Sequence, residues 1–350
     1  MKILLTGGGT LGSVTPLLAI VEAWRKRDAT VEFVWIGTQN GPERKLVEEE
    51  YAIRFFQIPV ARFPRYVSIE WLYLPIQFLR AILTSTNVIL KEKPNIVIGA
   101  GGFTQVPVIF AAWMMRVKSI VLQTDVQILL STKIVLPFVS RVIAAWEQTV
   151  SFLPKNRTIV LGVPVRESLL HGSKEKAIAR FGLDRNKQTV LVFGGGTGAT
   201  WLNEQIFEIA PQLCQKANVL HLTGSGKSSG FASVPGYVVV ESLGKEMADA
   251  YAVADLVVAR AGMGTIAELS ALHKPAILIP LPNSPQEDNV NALRDSTRVL
   301  VQEETTSEVL FNEVNNLLSD SKVREQYTSK IASILRTDIS DQIINLTSSK

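Results

Sequence analysis

The apolar, strand-like run Met1–Thr6 empties into Gly7-Gly8-Gly9-Thr10-Leu11-Gly12-Ser13-Val14-Thr15-Pro16, and the same signature returns downstream, where Thr189–Phe193 runs into Gly194-Gly195-Gly196-Thr197-Gly198-Ala199. After the first loop comes an amphipathic stretch with Leu17, Leu18, Ile20, Val21 and Trp24 apolar. A buried strand, a glycine-rich turn and such a stretch make the opening strand, turn and helix of a nucleotide-type α/β domain. Backbone N–H groups at a turn of this kind suit anionic oxygens. Its repetition within 350 residues implies two similar α/β domains, joined near Gly162–Arg166.

The rest of the chain fits that plan. Strands are expected at Val31–Ile36, Phe55–Ile58, Ile96–Gly99, Ser119–Gln123, Arg141–Ala145 and Thr158–Leu161, separated by helical stretches at Pro42–Tyr51, Trp71–Lys91 and Val106–Arg116. After the polar segment Glu167–Gln188, a second series follows at Thr189–Phe193, Val219–Leu222, Tyr237–Val240, Leu256–Ala259 and Ala276–Ile279. Alternation of this kind argues for parallel sheets with right-handed crossovers. The expected division is 1–163, 164–335 and a C-terminal helical segment, 336–350, returning towards the first domain; one helical stretch is expected over Lys322–Leu346. Ligands of open α/β sheets bind beyond the carboxyl ends of the strands, so the cleft between two facing sheets is the expected site.

Composition removes several alternatives. A chain 47% apolar and 19% charged buries a core and is no disordered tail. With Cys214 as the sole cysteine there is no internal disulfide and no cysteine-based metal site, and His171, His221 and His273 lie too far apart for zinc-ligand spacing. The first residues read directly into a strand, without a signal-peptide pattern. The apolar stretches around Trp71–Leu83 and Val106–Met115 are too short or too interrupted, by Pro75, Gln77 and Arg80, to span a bilayer. The net charge of +4 is mild. It leaves an anionic membrane or a nucleic acid open as partners on charge alone.

Gly7-x-Gly9-x-x-Gly12 matches the dinucleotide fingerprint, but the acid that should close the second strand is absent from Trp35-Ile36-Gly37-Thr38, which argues against a nicotinamide or flavin cofactor. Ser225-Gly226-Lys227-Ser228 imitates the tail of a P-loop with His221 where its leading glycine should stand, and Lys227 is expected to be a solvated loop residue. A third glycine loop, Gly99-Ala100-Gly101-Gly102-Phe103, also leaves a strand. Each loop alone reads as a tight turn. Three of them on the strand-exit side favour a phosphate-rich ligand.

The most specific stretch is Arg260-Ala261-Gly262-Met263-Gly264-Thr265-Ile266-Ala267-Glu268, followed by Gln286-Glu287-Asp288-Asn289-Val290-Asn291-Ala292. A glycine-rich helix start receives a diphosphate, and a carboxylate further into the helix accepts hydrogen bonds from ribose hydroxyls; the structural alternative is a helix with an exposed Glu268. With these residues the chain resembles, over nearly its full length, the glycosyltransferase family of MurG. The resemblance also covers the first loop, Gly99–Phe103, the linker Gly162-Val163-Pro164-Val165-Arg166, Gly194–Ala199 with Asn203, His221–Gly224, Met247 and Tyr251.

That resemblance implies a GT-B architecture of two Rossmann-like domains and inverting transfer of N-acetylglucosamine from UDP-N-acetylglucosamine to undecaprenyl-diphosphate-linked N-acetylmuramoyl-pentapeptide. It implies no metal, no cofactor beyond the donor substrate and no nucleic-acid partner. Carried onto this chain, Glu268 holds the ribose hydroxyls, and Met263, Gly264 and Thr265 meet the diphosphate. Gly196 and Thr197 flank the nucleotide, backbone near Leu243 and Gly244 meets the uracil, and Arg166 adds positive charge, its alternative being a surface salt bridge. Glu287 and Asp288 stand where the family usually has glutamine near the sugar hydroxyls.

On the acceptor side, Thr10, Leu11, Gly12 and Ser13 are the expected contacts, and they depart from the family's Gly-Gly-Thr-Gly-Gly-His. Gln123-Thr124-Asp125-Val126 likewise replaces His-Glu-Gln-Asn. Both expected histidines are therefore absent. Asp125 is the carboxylate nominated as catalytic base, with capping of the following helix as its structural alternative. Trp71, Leu72, Tyr73, Leu74, Ile76, Phe78, Leu79, Ile82 and Leu83, flanked by Arg62, Arg65 and Arg80, suit an anionic bilayer interface. With the helix carrying Trp113 they imply a peripheral enzyme at the cytoplasmic face of the plasma membrane. Two other readings remain: a related transferase with another lipid acceptor, such as a glycolipid synthase, and a non-catalytic sugar-nucleotide-binding homologue.

Overall fold

The computed structural model describes residues 1–59, 70–228, 234–293 and 295–348, apart from the side chains of 70–73 and 348. The chain divides into two compact units, Met1–Pro164 with Asp338–Lys350, and Val165–Thr337.

In the first unit, β1 (Lys2–Thr6), β2 (Glu32–Thr38), β3 (Arg54–Ile58), β4 (Ile96–Gly99), β5 (Lys118–Gln123), β6 (Arg141–Ala144) and β7 (Thr158–Val160) form one sheet. Its order is β3-β2-β1-β4-β5-β6-β7, and every pair is parallel. Leu5 lies opposite Trp35 on one side and Ile98 on the other. Helices cover both faces, so β1 is apolar at successive positions rather than alternating with polar residues. Ile3 and Leu5 enter the cluster with Leu17, Ile20, Val21 and Trp24 of the Thr15–Arg27 helix. Leu4 points the other way, into the cluster with Ile109 and Ala112 of the Gln105–Met114 helix. The C-terminal Ser340–Ser348 helix adds Ile343 and Ile344 to the first cluster, and Arg27 Nη1 donates to Asn345 Oδ1 at 2.7 Å.

The second unit repeats the plan. Its strands, β8 (Gln188–Phe193), β9 (Ala217–Leu222), β10 (Tyr237–Val240), β11 (Leu256–Ala259), β12 (Ala276–Leu278) and β13 (Arg298–Val299), pair in parallel in the order β10-β9-β8-β11-β12-β13. Each sheet therefore reverses its winding once, between β1 and β4 and between β8 and β11. The glycine loops leave at those reversals, where open α/β sheets take their ligands.

Three elements differ from the sequence expectation. The 42–51 segment is a short helix, Glu43–Lys45, continuing as a wider-wound turn, Leu46–Glu50, because Glu43 is drawn into the interior. The expected 322–346 helix is two, Ser321–Ala332 and Ser340–Ser348: Ile331 is buried in the second unit, whereas Ile343 and Ile344 belong to the first unit's core, and the chain breaks where it leaves one for the other. Strand β13 is two residues long, too short to show periodicity. Among the described residues no helix is long and apolar enough to cross a membrane. Arg62 and Arg65, and the side chains of Trp71, Leu72 and Tyr73, lie outside what is described.

Candidate active site

In the second unit, the chain after β11 is pinned before it turns into the Met263–Leu272 helix. Arg260 Nη1 donates to the carbonyls of Ile279 at 3.2 Å and Pro280 at 3.1 Å, while Nη2 donates to Gln302 Oε1 at 2.5 Å. Its guanidinium carbon stands 5.5 Å from the ring centre of Trp201, in the helix after the β8 loop. Asn289 Nδ2 donates to the Ala261 carbonyl at 3.4 Å. Gly262 is thereby held as the N-cap, with no capping side chain, and a Cβ there would meet nothing within 4 Å. The first N–H groups of this ten-residue helix have no capping side chain and no acidic side chain in the first turn.

Gly264 and Glu268, four residues apart, share a face of that helix. Glu268 is only 8% exposed, which removes the reading as a solvated helix residue. Its Oε2 accepts from the Tyr251 hydroxyl at 2.8 Å, and its Oε1 lies 3.4 Å from Arg166 Nη2. Arg166 is equally enclosed, so the alternative of a surface salt bridge is corrected to a buried one. Burial, with the Glu268 carboxylate next to it, holds the Tyr251 hydroxyl well above its ordinary pKa and keeps it a donor. Each carboxylate oxygen has two acceptor directions, so Glu268 retains capacity for further donors.

The loop after β8 is shaped by its contact with the loop after β9. Gly198 and Gly224 have φ of 70° and 93°, and a Cβ on Gly198 would collide with the Thr223 carbonyl oxygen. Beneath them runs a buried hydrogen-bond chain. Asn203 Nδ2 donates to the Thr223 carbonyl at 2.9 Å, so its Oδ1 is left to accept from His221 Nε2 at 3.1 Å. His221 Nδ1 then accepts from the Tyr237 hydroxyl at 2.7 Å. Burial pushes the His221 pKa down to about 4, consistent with this neutral tautomer. Lys227 is a partly exposed loop residue, as expected, and its Nζ donates to the Thr197 carbonyl at 3.0 Å, tying the two loops together.

The other donor-side candidates lie in the same unit. Gly244 accepts from the Met247 N–H at 3.1 Å at the start of the helix that carries Tyr251. Glu287 and Asp288 occupy the first turn of the Pro285–Leu293 helix, beside Asn289 and its bond to Ala261. Gly196 and Thr197 sit in the loop that Lys227 closes. The contacts thus link Arg166, Tyr251 and Glu268 directly.

In the first unit, Leu11–Ser13 is a single tight turn. Ser13, expected among the acceptor contacts, turns its hydroxyl inward: it accepts from the Gly8 N–H at 3.1 Å and lies 3.3 Å from the Thr10 carbonyl. A serine is short enough to satisfy its own loop, and Leu11 packs against the first core cluster, which leaves Thr10 and Gly12 as the outer side of the turn. The Gly99–Phe103 loop abuts it, since a Cβ on Gly102 would come within 3.2 Å of the Gly8 carbonyl oxygen. At the end of β5, Gln123 Nε2 donates to the carbonyls of Asp125 at 2.8 Å and Gln127 at 3.0 Å, presenting Asp125 half-buried on a folded loop. The helix that follows starts at Leu130 with Leu129 as N-cap and no capping side chain, so Asp125 does not have the capping role.

Glu43 was not anticipated. Its carboxylate has no exposed surface and accepts from the Thr38 N–H at 2.8 Å, the Thr38 hydroxyl at 2.5 Å and the Gly9 N–H at 3.2 Å. An acid therefore does stand at the end of β2, turned inward rather than towards a ribose. Glycines at 37 and 41 on either side of Thr38 were the signal for it. Among the described residues, no group of three or more His, Cys, Asp or Glu side chains is arranged to hold a metal.

Comparison with known proteins agrees with this layout. Residues 3–144 match the glycosyltransferase family 28 N-terminal domain and residues 189–343 its C-terminal domain. The UDP-N-acetylglucosamine--N-acetylmuramyl-(pentapeptide) pyrophosphoryl-undecaprenol N-acetylglucosamine transferase of Lachnospira eligens is 33% identical, over 99% of this chain and 98% of the relative. That of Staphylococcus aureus is 32% identical over 90% of each. Among solved structures, Acinetobacter baumannii MurG has a TM-score of 0.69 at 21% identity, covering 99% of this chain and 98% of its own. UDP-GlcNAc 2-epimerase from Neisseria meningitidis reaches 0.72 at 15% identity, covering 99% of both chains, which is a likeness of fold. The chain belongs to glycosyltransferase family 28, has the GT-B fold, and is a member of the family of these N-acetylglucosamine transferases.

Proposed function

We propose that this chain transfers N-acetylglucosamine from UDP-N-acetylglucosamine to undecaprenyl-diphosphate-linked N-acetylmuramoyl-pentapeptide. The observation that carries the donor half is Glu268, buried, oriented by Tyr251 and Arg166, and set on the face of a helix whose N-terminus has no side-chain cap. The helix start receives the diphosphate and stabilises the charge that grows on it as UDP leaves. Glu268 accepts from the ribose hydroxyls, backbone near Gly244 meets the uracil, and Glu287 and Asp288 accept from the sugar hydroxyls. No metal or cofactor is assigned.

For the transfer, a hydroxyl oxygen of the acceptor bonds to the anomeric carbon from the face opposite UDP. Its proton passes to Asp125, the anomeric bond to the diphosphate breaks, and the electron pair leaves with UDP. The acceptor half rests on Thr10 and Gly12 at the outer side of the first loop, with Leu11 packed against the core behind them. We assign membrane contact to the same unit. On the Glu70–Glu92 helix, Ile76, Leu79 and Leu83 are more than half exposed, and Trp113 and Met114 are half exposed on the Gln105–Met114 helix packed beside it. Trp113 leans on Phe138 at 5.0 Å, and Arg80 and Lys133 are exposed within this apolar area. Aromatic and aliphatic side chains among cations fit a peripheral position on an anionic, cytoplasmic leaflet.

A panel of acceptors tests the reading. Purified chain with radiolabelled UDP-N-acetylglucosamine should label the muramoyl-pentapeptide lipid and leave diacylglycerol unlabelled. Label on diacylglycerol alone would make it a glycolipid synthase. Tight donor binding with no labelled lipid would make it a sugar-nucleotide-binding homologue, a reading that the inward-turned Ser13 favours.

A further inference from the structure

We infer that Glu43 is the positioning residue of the first glycine loop: its carboxylate is an intramolecular anion seated on that loop, fixing the shape the loop presents to the lipid-linked acceptor. The inference rests on the acceptor-side reading above and adds to it the group that holds the acceptor loop in place.

A carboxylate withdrawn from water needs donors on both oxygens. Glu43 finds them in the backbone at the end of β2 and in the loop itself: Oε1 takes the N–H and hydroxyl of Thr38, and Oε2 takes the N–H of Gly9. The surroundings are cut to its size. A Cβ on Gly8 or on Gly41 would collide with a carboxylate oxygen, and one on Gly37 would come within 3.2 Å of Oε1. Three glycines and Thr38 thus enclose one charged group, an arrangement that a mere surface acid on a short helix would not require.

The seat has a consequence for ligands. In a dinucleotide fold, the amides of the first glycine turn are left for a diphosphate and the acid after the second strand is left for a ribose. Here the acid and one of those amides satisfy each other, and the neighbouring amide, Gly8 N–H, is taken by the Ser13 hydroxyl. The indole of Trp35 holds the loop's first carbonyl, on Gly7, at 2.9 Å. The stem of the loop is therefore closed to phosphate and rigid. An acceptor meets only its outer side, whose position is set by Glu43 behind Gly9 and transmitted to the Gly99–Phe103 loop through the close approach of Gly102, which leaves little room for a Cβ beside the Gly8 carbonyl oxygen.

Glu43→Gln tests this in the full chain. An amide keeps one acceptor oxygen, and two donors on Thr38 compete for it against one on Gly9, so the NH2 is driven against Gly9 and the loop bond is lost. Hydrogen exchange followed by mass spectrometry should show faster exchange in the peptide spanning 7–13 and no change in the one spanning 194–199. In the transferase assay, KM for the lipid acceptor should rise about tenfold or more, the worth of one charge-assisted hydrogen bond, with KM for UDP-N-acetylglucosamine unchanged. Glu43→Gly should lose activity that formate, a small carboxylate able to enter the vacated seat, restores in part. Thr38→Val, which keeps the bond to Gly9, should leave the acceptor KM unchanged.

Unchanged exchange at 7–13 overturns the inference, as does faster exchange with no change in acceptor KM or an equal rise in both KM values. If Glu43→Gln does not fold, Glu43→Asp, too short to reach Gly9, is read in the same assays with the same expectations. If the wild-type chain transfers nothing, the transferase reading fails by itself, and the exchange rates still decide whether Glu43 holds the loop.

Discussion

The side chains around Glu268 and His221 solve the same problem, a polar group without water, by different means. Glu268 is oriented by a neutral hydroxyl and a guanidinium at 3.4 Å. Tyr251→Phe removes the closer donor and leaves a buried carboxylate oxygen short of a partner. It should cost about 1–3 kcal/mol in urea unfolding and raise KM for UDP-N-acetylglucosamine several-fold, with KM for the acceptor unchanged. His221 is held neutral, with its pKa pushed down to about 4 from 6.5. The unfolded chain then takes up the proton first as pH falls, so the ring's contribution is complete above pH 6.5 and is lost between there and 4. From about pH 7.5 to 5 this amounts to about 2 kcal/mol, and His221→Gln should lose that part of the pH dependence of unfolding. An equal slope in wild type and variant would show that the ring titrates freely.

At the level of elements, glycine turns work in this chain by close approach. Gly198 and Gly224 combine positive φ with contact between their own loops, so Gly198→Ala forces the β8 and β9 loops apart. The variant should stay folded, because the core strands are untouched, and should bind UDP at least tenfold more weakly by calorimetry, equivalent to about 1.4 kcal/mol. Unaltered UDP binding would place the nucleotide elsewhere. The helices Glu70–Glu92 and Gln105–Met114 carry apolar side chains outward. Replacing Leu79 and Leu83, both more than half exposed, together by Glu should abolish flotation with vesicles containing anionic lipid without lowering the unfolding midpoint. Retained flotation would move the membrane contact to another surface.

Across the whole molecule, the repeat of strand, glycine turn and helix was legible because each β1-like strand is apolar on both faces, and the two sheets share one winding order. The candidate donor-side group was legible as one element for a related reason: Met263, Gly264, Thr265 and Glu268 are close in sequence and lie in a single helix. What the sequence concealed depends on contacts between distant segments. Glu43 serves Gly9, 34 residues away, with the glycines around Thr38 as its one local trace, and Lys227 serves Thr197, 30 residues away, with none. Ser13 differs from the expectation for the opposite reason, since its bonds are local and its hydroxyl is taken up by its own turn. The C-terminal helix was expected as one piece because periodicity reports an apolar face and not the core that receives it.

In the proposed reaction the donor binds at Glu268 and Asp125 takes the acceptor proton. The most direct measurement compares UDP released with N-acetylglucosamine incorporated into muramoyl-pentapeptide lipid, for the wild type and for Asp125→Asn. The account predicts one UDP per sugar incorporated, a β-linked product, and a rate at least about a hundredfold lower in Asp125→Asn with UDP binding retained. Transfer at the wild-type rate in Asp125→Asn, or UDP released without any sugar incorporated, would contradict it.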